Sequence, residues 1–534
     1  MPVADGDEAE ERAPGEVNMP PHSFSFVVAV CFTLNYIIGS GFLTLPWAFY
    51  ETGWLLGLLL LGIVSVVSIL ASSFILEAMA RAEVLTNFES RDDDKLSLQS
   101  TGRGAGGAYH TISSASAHSL MSAESGGGGG GSSASLQAGA DVLALTDTSS
   151  QVGARKFEIP ELCELFLGVR GRQVYTVVIG IYMYGTLWAY CTVWANAWAT
   201  LLPLTAAGNA GSNSTSYVSY LALFAVLVVP ASLMELSEQI GVQVTLSACR
   251  IVMLAVMVLT IVVAHVSGSE GAFGPELGES HQSAPAWQPS NIYILLPIAA
   301  YANIFHHSIP SLAHPVRNKS SLGRVFSTAL LISWAAYAGI GLVISVYFGE
   351  HTKVASNLNW RYYNGGGVGV GDGEEVPLFA RLVSFFVVLF PAMDVASAYP
   401  LNAITLGNNL MSAVYGSALV PAMEKSRLHR TAFRLLAAVP PMLLALVESN
   451  LGEITDFTGL TGFAVAFVFP ALLSMYSEQR LAALGLETKT RYSSRWTRRS
   501  AAVLTAAGGV FLVLFVAISL LTIGPPHGPT RRRQ

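Results

Sequence analysis

Two stretches of this sequence place helix-breaking and polar residues inside long apolar runs. The first reads Asn35-Tyr36-Ile37-Ile38-Gly39-Ser40-Gly41-Phe42-Leu43-Thr44-Leu45-Pro46. Its glycines accept unusual backbone angles and bring no side chain. Pro46 lacks an N–H and clashes one turn back, against Phe42. Unwinding here would free backbone N–H and C=O groups, which a bilayer tolerates only where they line a cavity or meet a ligand. Freed N–H groups at a helix N-terminus suit a carboxylate. Close helix packing by small residues explains the same motif without a ligand. The second stretch reads Pro297-Ile298-Ala299-Ala300-Tyr301-Ala302-Asn303-Ile304-Phe305-His306-His307-Ser308-Ile309-Pro310, with prolines on either side of a polar cluster. Interrupted helices at corresponding positions of two halves are the best sequence pointer to a transport site. The pair therefore favours the binding reading over packing.

Other residues offer proton or ion chemistry. Asp394 lies in the apolar run around Phe390 to Pro400, with Ser397 one turn on, and it is taken as the one clear aspartate within a span. An intramembrane carboxylate is costly and marks function by default; a hydrogen bond to a neighbouring helix is the structural alternative. Arg250 either pairs with a carboxylate or faces a wetted vestibule. His306 and His307 point about 100° apart on a regular helix and have no partners completing a metal set, so no metal is expected. His306 is either a satisfied polar residue or a group that senses protons or substrate, since histidine titrates near physiological pH. Glu77, Glu235 and Glu238 lie near span ends and are expected to be wetted. Gly369-Val370-Gly371-Asp372 matches a string of intramembrane aspartyl proteases, but it falls in a glycine-rich loop, and a dyad needs two close carboxylates. With no HExxH and no GxSxG, enzymatic hydrolysis is disfavoured.

The elements that must position these residues follow from composition. The 534 residues are 52% hydrophobic and 12% charged, against about 25% charged in soluble proteins. Mean hydropathy is +0.50. The net charge of −6 leaves no basic excess for nucleic acid. Eleven candidate spans run over 24–49, 53–79, 173–203, 217–235, 240–264, 290–312, 323–348, 378–412, 429–449, 452–476 and 499–523. Spans 1 and 6 then open two five-helix halves of opposite orientation. Lys and Arg concentrate after even-numbered spans, as at Arg81, Arg155, Arg317, Lys319, Arg427 and Arg480, which places those loops and the N-terminus in the cytoplasm. The C-terminal Arg531, Arg532 and Arg533 run against that rule. The sequon Asn213-Ser214-Thr215 falls in the loop after span 3, outside in this orientation. Residues 1–22 form an acidic tail without the basic start of a signal peptide, 23–523 the membrane domain and 524–534 a short tail. Residues 89–153 are rich in Ser, Gly and Ala and read as a disordered cytoplasmic insert. The four cysteines, Cys31, Cys163, Cys191 and Cys249, match no zinc pattern, and none lies in an outside loop.

The run from Asn35 to Phe49, NYIIGSGFLTLPWAF, resembles the first helix of the amino acid/auxin permease family, within the amino acid–polyamine–organocation superfamily. YANIFHHSIPSLAHPVRNKSSL (Tyr301–Leu322), YPLNAITLGNNL (Tyr399–Leu410) and FTGLTGFAVAFVFPALL (Phe457–Leu473) follow in the family's order. The resemblance implies an all-α membrane protein of about eleven helices, with the five-plus-five inverted repeat of leucine-transporter-like proteins and helices 1 and 6 interrupted. It implies secondary active amino acid transport without a cofactor, coupled to H+ or Na+. By the same resemblance Ile38, Gly39, Ser40 and Gly41 would meet the substrate carboxylate, and Tyr301, Asn303 and Phe305 would line the amino-group and side-chain side. Asn35 matches an asparagine implicated in sodium coordination; the accompanying threonine has no match near Met393 and Asp394. Asp394, Ser397 and His306 are the other candidate ion-coupling residues. An amino-acid sensor that keeps the fold is the rival, since fold does not fix function. The membrane is either the plasma membrane or a vacuolar or endolysosomal one. Deleting the Ser/Gly-rich insert is expected to leave uptake by a normally expressed protein intact; abolished uptake would give the insert an essential role.

Overall fold

The computed structural model describes residues 24–101, 151–153, 155, 157–204, 212–233, 240–269, 271–274, 283–365, 376–415 and 426–523. The helices are α1 (Phe26–Ile37), α2 (Leu45–Thr52), α3 (Trp54–Thr101), α4 (Ile159–Leu201), α5 (Ser212–Leu233), α6 (Ile240–Val266), α7 (Ile292–Asn303), α8 (Ile309–Ala313), α9 (Leu322–Phe348), α10 (Leu378–Tyr415), α11 (Arg427–Ala438), α12 (Pro440–Val447), α13 (Leu451–Phe463), α14 (Phe469–Ala483) and α15 (Arg499–Ile523). A π-helical turn at Ala464–Val468 joins α13 to α14. The protein is an all-helical, multi-pass membrane protein.

Among the described residues, ten segments are long and apolar enough to cross a bilayer. The expected first span is absent from that count because its break leaves α1 with 12 residues and α2 with 8, where a continuous span needs about 20. The outer faces of the spans are apolar and open, as at Val66, Val226 and Leu504. Lipid rather than water suits such faces. In α4 the chain bends at Gly168, whose φ of 76° is left-handed and free of penalty only for glycine.

The helix α3 continues to Thr101, past Glu89 where the composition turns to Ser and Gly. Residues 102–150 of the expected insert lie outside the described residues. So do both tails, Glu235, Glu238 and the Gly369–Asp372 string. The far end of the insert is anchored. Val152 is buried, and its N–H donates to the Tyr492 hydroxyl at 3.3 Å. That hydroxyl donates in turn to the Lys319 carbonyl at 2.8 Å. Burial pushes the Tyr492 phenol up to about 12, so it keeps its proton and stays a donor.

Glu77 is not wetted. It is fully buried in α3 and pairs at 3.3 Å with Arg81, one turn on. Its carboxylate also accepts from Ser474 of α14 (3.1 Å) and from Thr497 before α15 (2.6 Å). Arg81 donates to the carbonyls of Ser474 and Thr488 and to the Ser477 hydroxyl. A basic residue that reads as a loop charge thus closes a polar knot between α3, α14 and the chain leading to α15. Removing one partner of a buried pair leaves an uncompensated charge, at a cost of about 3–5 kcal/mol. Arg81→Met should therefore lower the thermal unfolding temperature in detergent sharply. Adding Glu77→Gln should recover most of the loss; equal melting of wild type and Arg81→Met would contradict the assignment.

Candidate functional site

The two interrupted helices lie antiparallel and are tied together at both ends. At one end Phe24 precedes α1 and pairs with the chain after α8: its N–H donates to the Pro315 carbonyl (2.7 Å), and its carbonyl accepts from Arg317 (3.1 Å). At the other end the Thr52 carbonyl accepts from the Gln288 N–H (2.8 Å), and Asn291 donates to the Glu51 carbonyl (2.8 Å). Between these ties both helices break at the same depth. α1 stops at Ile37, and Ile38 and Gly39 leave helical geometry before a 3-10 turn at Ser40–Leu43. α7 stops at Asn303, and Ile304 and Phe305 are extended or irregular before a 3-10 turn at His306–Ser308. Pro46 and Pro310 each sit in the first turn of the helix that follows, α2 and α8, where a missing N–H costs nothing. The prolines restart helices here rather than merely breaking them.

The breaks face each other. The Ser40 and Tyr301 hydroxyls are hydrogen-bonded at 3.0 Å. Tyr337 of α9 places its hydroxyl 3.0 Å from the Ile37 carbonyl and 3.1 Å from the Ala302 carbonyl, so one group serves the open ends of both broken helices. Gly41 packs on the α7 backbone: a Cβ there would sit 2.8 Å from the Ala302 Cα. Gly39 differs, because the nearest atom to a Cβ there is the Tyr190 hydroxyl, at 3.8 Å. Tyr182 completes this side, its ring 6.3 Å from Tyr301 and 5.7 Å from His307. Tyr182 and Tyr190 of α4 lie beside the breaks and are candidate site residues that motif reasoning missed. The available signal was the polar stripe Tyr182, Thr186, Tyr190 at i, i+4, i+8 of an apolar helix.

The other expected residues divide. Ile38 caps α1 and is buried, its N–H donating to the Leu34 carbonyl. Asn303 turns away from the break; it donates to its own helix at Ala299 (2.9 Å) and accepts from Ser65 of α3 (3.2 Å). Phe305 is fully buried against Phe326 of α9. His306 is also buried, its Nε2 3.0 Å from the Ser68 carbonyl. The structure thus brings Gly39, Ser40, Gly41 and Tyr301 together and points Asn303 and His306 toward α3.

Arg250 of α6 forms a second centre beside the first break. Its Nη2 donates to both oxygens of Asp394 in α10, at 2.6 and 2.7 Å. Its Nη1 donates to the Asn35 side-chain oxygen at 2.6 Å and to the Asn35 carbonyl at 3.2 Å. Arg250 and Asp394 are buried and Asn35 is partly so, and one guanidinium joins three helices. Ser397 donates to the Asp394 carbonyl at 2.8 Å. Of the two readings of Arg250, pairing with a carboxylate is the one the structure contains. A second intramembrane aspartate, Asp456 of α13, is 2% exposed; Asp394 is therefore not the sole such residue, and 452–476 already contained the other.

The two glycines give opposite expectations. Gly39→Ala should fold normally, as thermal melting would read, yet lose most substrate uptake because the methyl enters the gap before Tyr190. Gly41→Ala should lower stability first, by pushing α7 away. Full uptake by a well-folded Gly39→Ala protein would remove the binding assignment.

The sequence matches the family described as transmembrane amino acid transporter protein, over residues 22–94 and 142–521. Among relatives, the Transmembrane protein 104 homolog of Dictyostelium discoideum is 25% identical, across 86% of this chain and 90% of that protein. The homolog of Drosophila melanogaster is 24% identical, across 94% and 98%, and Transmembrane protein 104 of Mus musculus 24%, across 86% and 88%. A solved manganese transporter from Eremococcus coleocola is loosely similar, with 12% identity, a TM-score of 0.46, and coverage of 96% of this chain and 92% of that one. Because the family match spans both broken helices and the helices around them, this chain belongs to the transmembrane amino acid transporter family.

Proposed function

We propose that the protein is a secondary active transporter that moves amino acids across a membrane by alternating access, coupled to protons. The observation that carries this reading is the pair of facing breaks, joined through Ser40 and Tyr301. A helix start lacks intrahelical partners for its first N–H groups, and a carboxylate is the ligand such a start attracts. The substrate carboxylate would lie at Gly39, Ser40 and Gly41. Its amino group and side chain would face Tyr301, Tyr182 and Tyr190, which suits a neutral or aromatic amino acid. The eleven-span, five-plus-five inverted repeat belongs to this reading, counting α1 and α2 as the first span. So does a cytoplasmic N-terminus. Asn213, the second residue of α5, would then be glycosylated on the outside. The binding energy that differs between outward- and inward-facing forms would couple ion to substrate.

Proton rather than sodium coupling rests on Arg250. Asn35, the residue whose resemblance suggested sodium, gives both its side-chain oxygen and its carbonyl to the guanidinium. Asp394, the obvious counter-charge for a metal cation, is engaged with both oxygens by the same group. A fixed cation already holds the oxygens that a mobile one would need.

The test is uptake of labelled amino acids by purified protein in liposomes under an imposed pH gradient, a sodium gradient, or neither. Accumulation above the no-gradient level is expected with the pH gradient alone. Accumulation with sodium only would overturn the ion assignment. Saturable binding with no accumulation under any gradient would overturn transport in favour of a sensor.

A further inference from the structure

Asp456 is a buried acid that nothing so far has used. It sits in the second turn of α13, 2% exposed, and neither carboxyl oxygen has a hydrogen-bond partner among the described residues. Its surroundings follow from the packing of α13. Gly459 lies directly on the Pro297 backbone of α7, and Gly462 on Ile304. The two helices therefore run parallel in contact. One turn back from that contact, on the same faces, stand Asp456 on α13 and Tyr293 on α7, both buried. On the α4 side Thr458 packs on Gly185, and Gly462 approaches Tyr182. Tyr182 is the ionisable group that these contacts place on this flank of α4. The third neighbour, α15, has no ionisable side chain after Arg499. On α13 itself Glu453 is one turn earlier on the same face and only half-buried. Glu453 is thus the charged group that acts on Asp456, and neither Asp456 oxygen meets a hydrogen-bond partner, cationic or otherwise, among the described residues. An unpaired carboxylate in such a place is strongly penalised, and a group so placed is neutralised rather than left charged.

The contrast with Asp394 is direct. That carboxylate is held by a guanidinium, with both oxygens engaged. It can give up its pairing only by stranding Arg250.

We propose that Asp456 is the group that binds and releases the coupling proton, with Glu453 as its relay to the membrane surface. When the site opens to one side, water reaches α13 and the carboxylate takes up one proton to become the neutral acid. The closed form, with α13 packed on α7 at Pro297 and Ile304, admits only that acid. Opening to the other side rehydrates it, and the O–H bond breaks to return the carboxylate and one proton to water. Because α7 carries Tyr301 at its break, the protonation of Asp456 controls how closely α13 can approach the helix that lines the substrate. This deepens the proton-coupled transport reading and rests on it.

The experiment compares wild type, Asp456→Asn and Asp456→Glu in liposomes. Three readings are taken: exchange of labelled amino acid without a gradient, accumulation under a pH gradient, and the infrared band of protonated carboxyls. Asparagine has the shape of the neutral acid, so Asp456→Asn should fold and exchange. Its accumulation should drop to the no-gradient level, and the wild-type band of the buried acid should vanish. Asp456→Glu should restore a response to the gradient. Wild-type accumulation in Asp456→Asn, an unchanged band, or failure of that variant to fold would each overturn the proposal. If the wild type neither exchanges nor accumulates, the transport reading itself falls; exchange by the wild type with gradient response retained in Asp456→Asn sinks Asp456 alone.

Discussion

A helix that stops inside a membrane leaves carbonyl groups that neither water nor lipid can satisfy. This chain stops two helices at one depth, and the arrangement around them answers that problem. The Tyr337 hydroxyl lies within bonding distance of the last carbonyls of both α1 and α7, and Ser40 meets Tyr301 across the gap. Backbone ties at Phe24–Pro315 and at Thr52–Gln288 hold the two broken helices as an antiparallel pair. Gly41 lets that pair approach to backbone contact. The irregular backbone survives because protein groups, not lipid, surround it.

Local signals carried much of this. The Gly-Ser-Gly run and the proline-flanked cluster marked both breaks, because glycine and proline act on the backbone of their own residue and one turn around it. What could not be read was which way a side chain points once the helix has unwound. Asn303 and His306 belong to the same cluster as Tyr301, yet they bond to α3. Rotation after the break decides that, and no fixed periodicity applies there. Long-range pairings were equally hidden. Glu77 and Arg81 read as surface charges until α14 and the chain before α15 closed over them, 393 residues or more away in sequence. Tyr182 and Tyr190 were hidden differently, by being ordinary residues in an ordinary helix whose partner face was unknown.

The two intramembrane aspartates show how environment separates identical side chains. Asp394 meets a guanidinium bound through both oxygens and serves as a joint between α6 and α10. Asp456 has Glu453 one turn away and meets no such partner among the described residues. A carboxylate with a fixed counter-charge resists change of state. One without it responds to every change in hydration. Chemistry that must switch is better placed on the second than on the first.

The Arg250 centre has one more consequence, for electrical charge. A bound metal cation leaves its site on the far side and so carries current. The guanidinium is part of the chain and, in the transport cycle proposed above, would return to its starting position with every turnover. Over a full turnover it moves no net charge, however far it shifts within the membrane. A membrane potential acts at about 2.3 kcal/mol per charge per 100 mV. It can bias the individual strokes through Arg250, but it can drive net flux only through whatever dissociates.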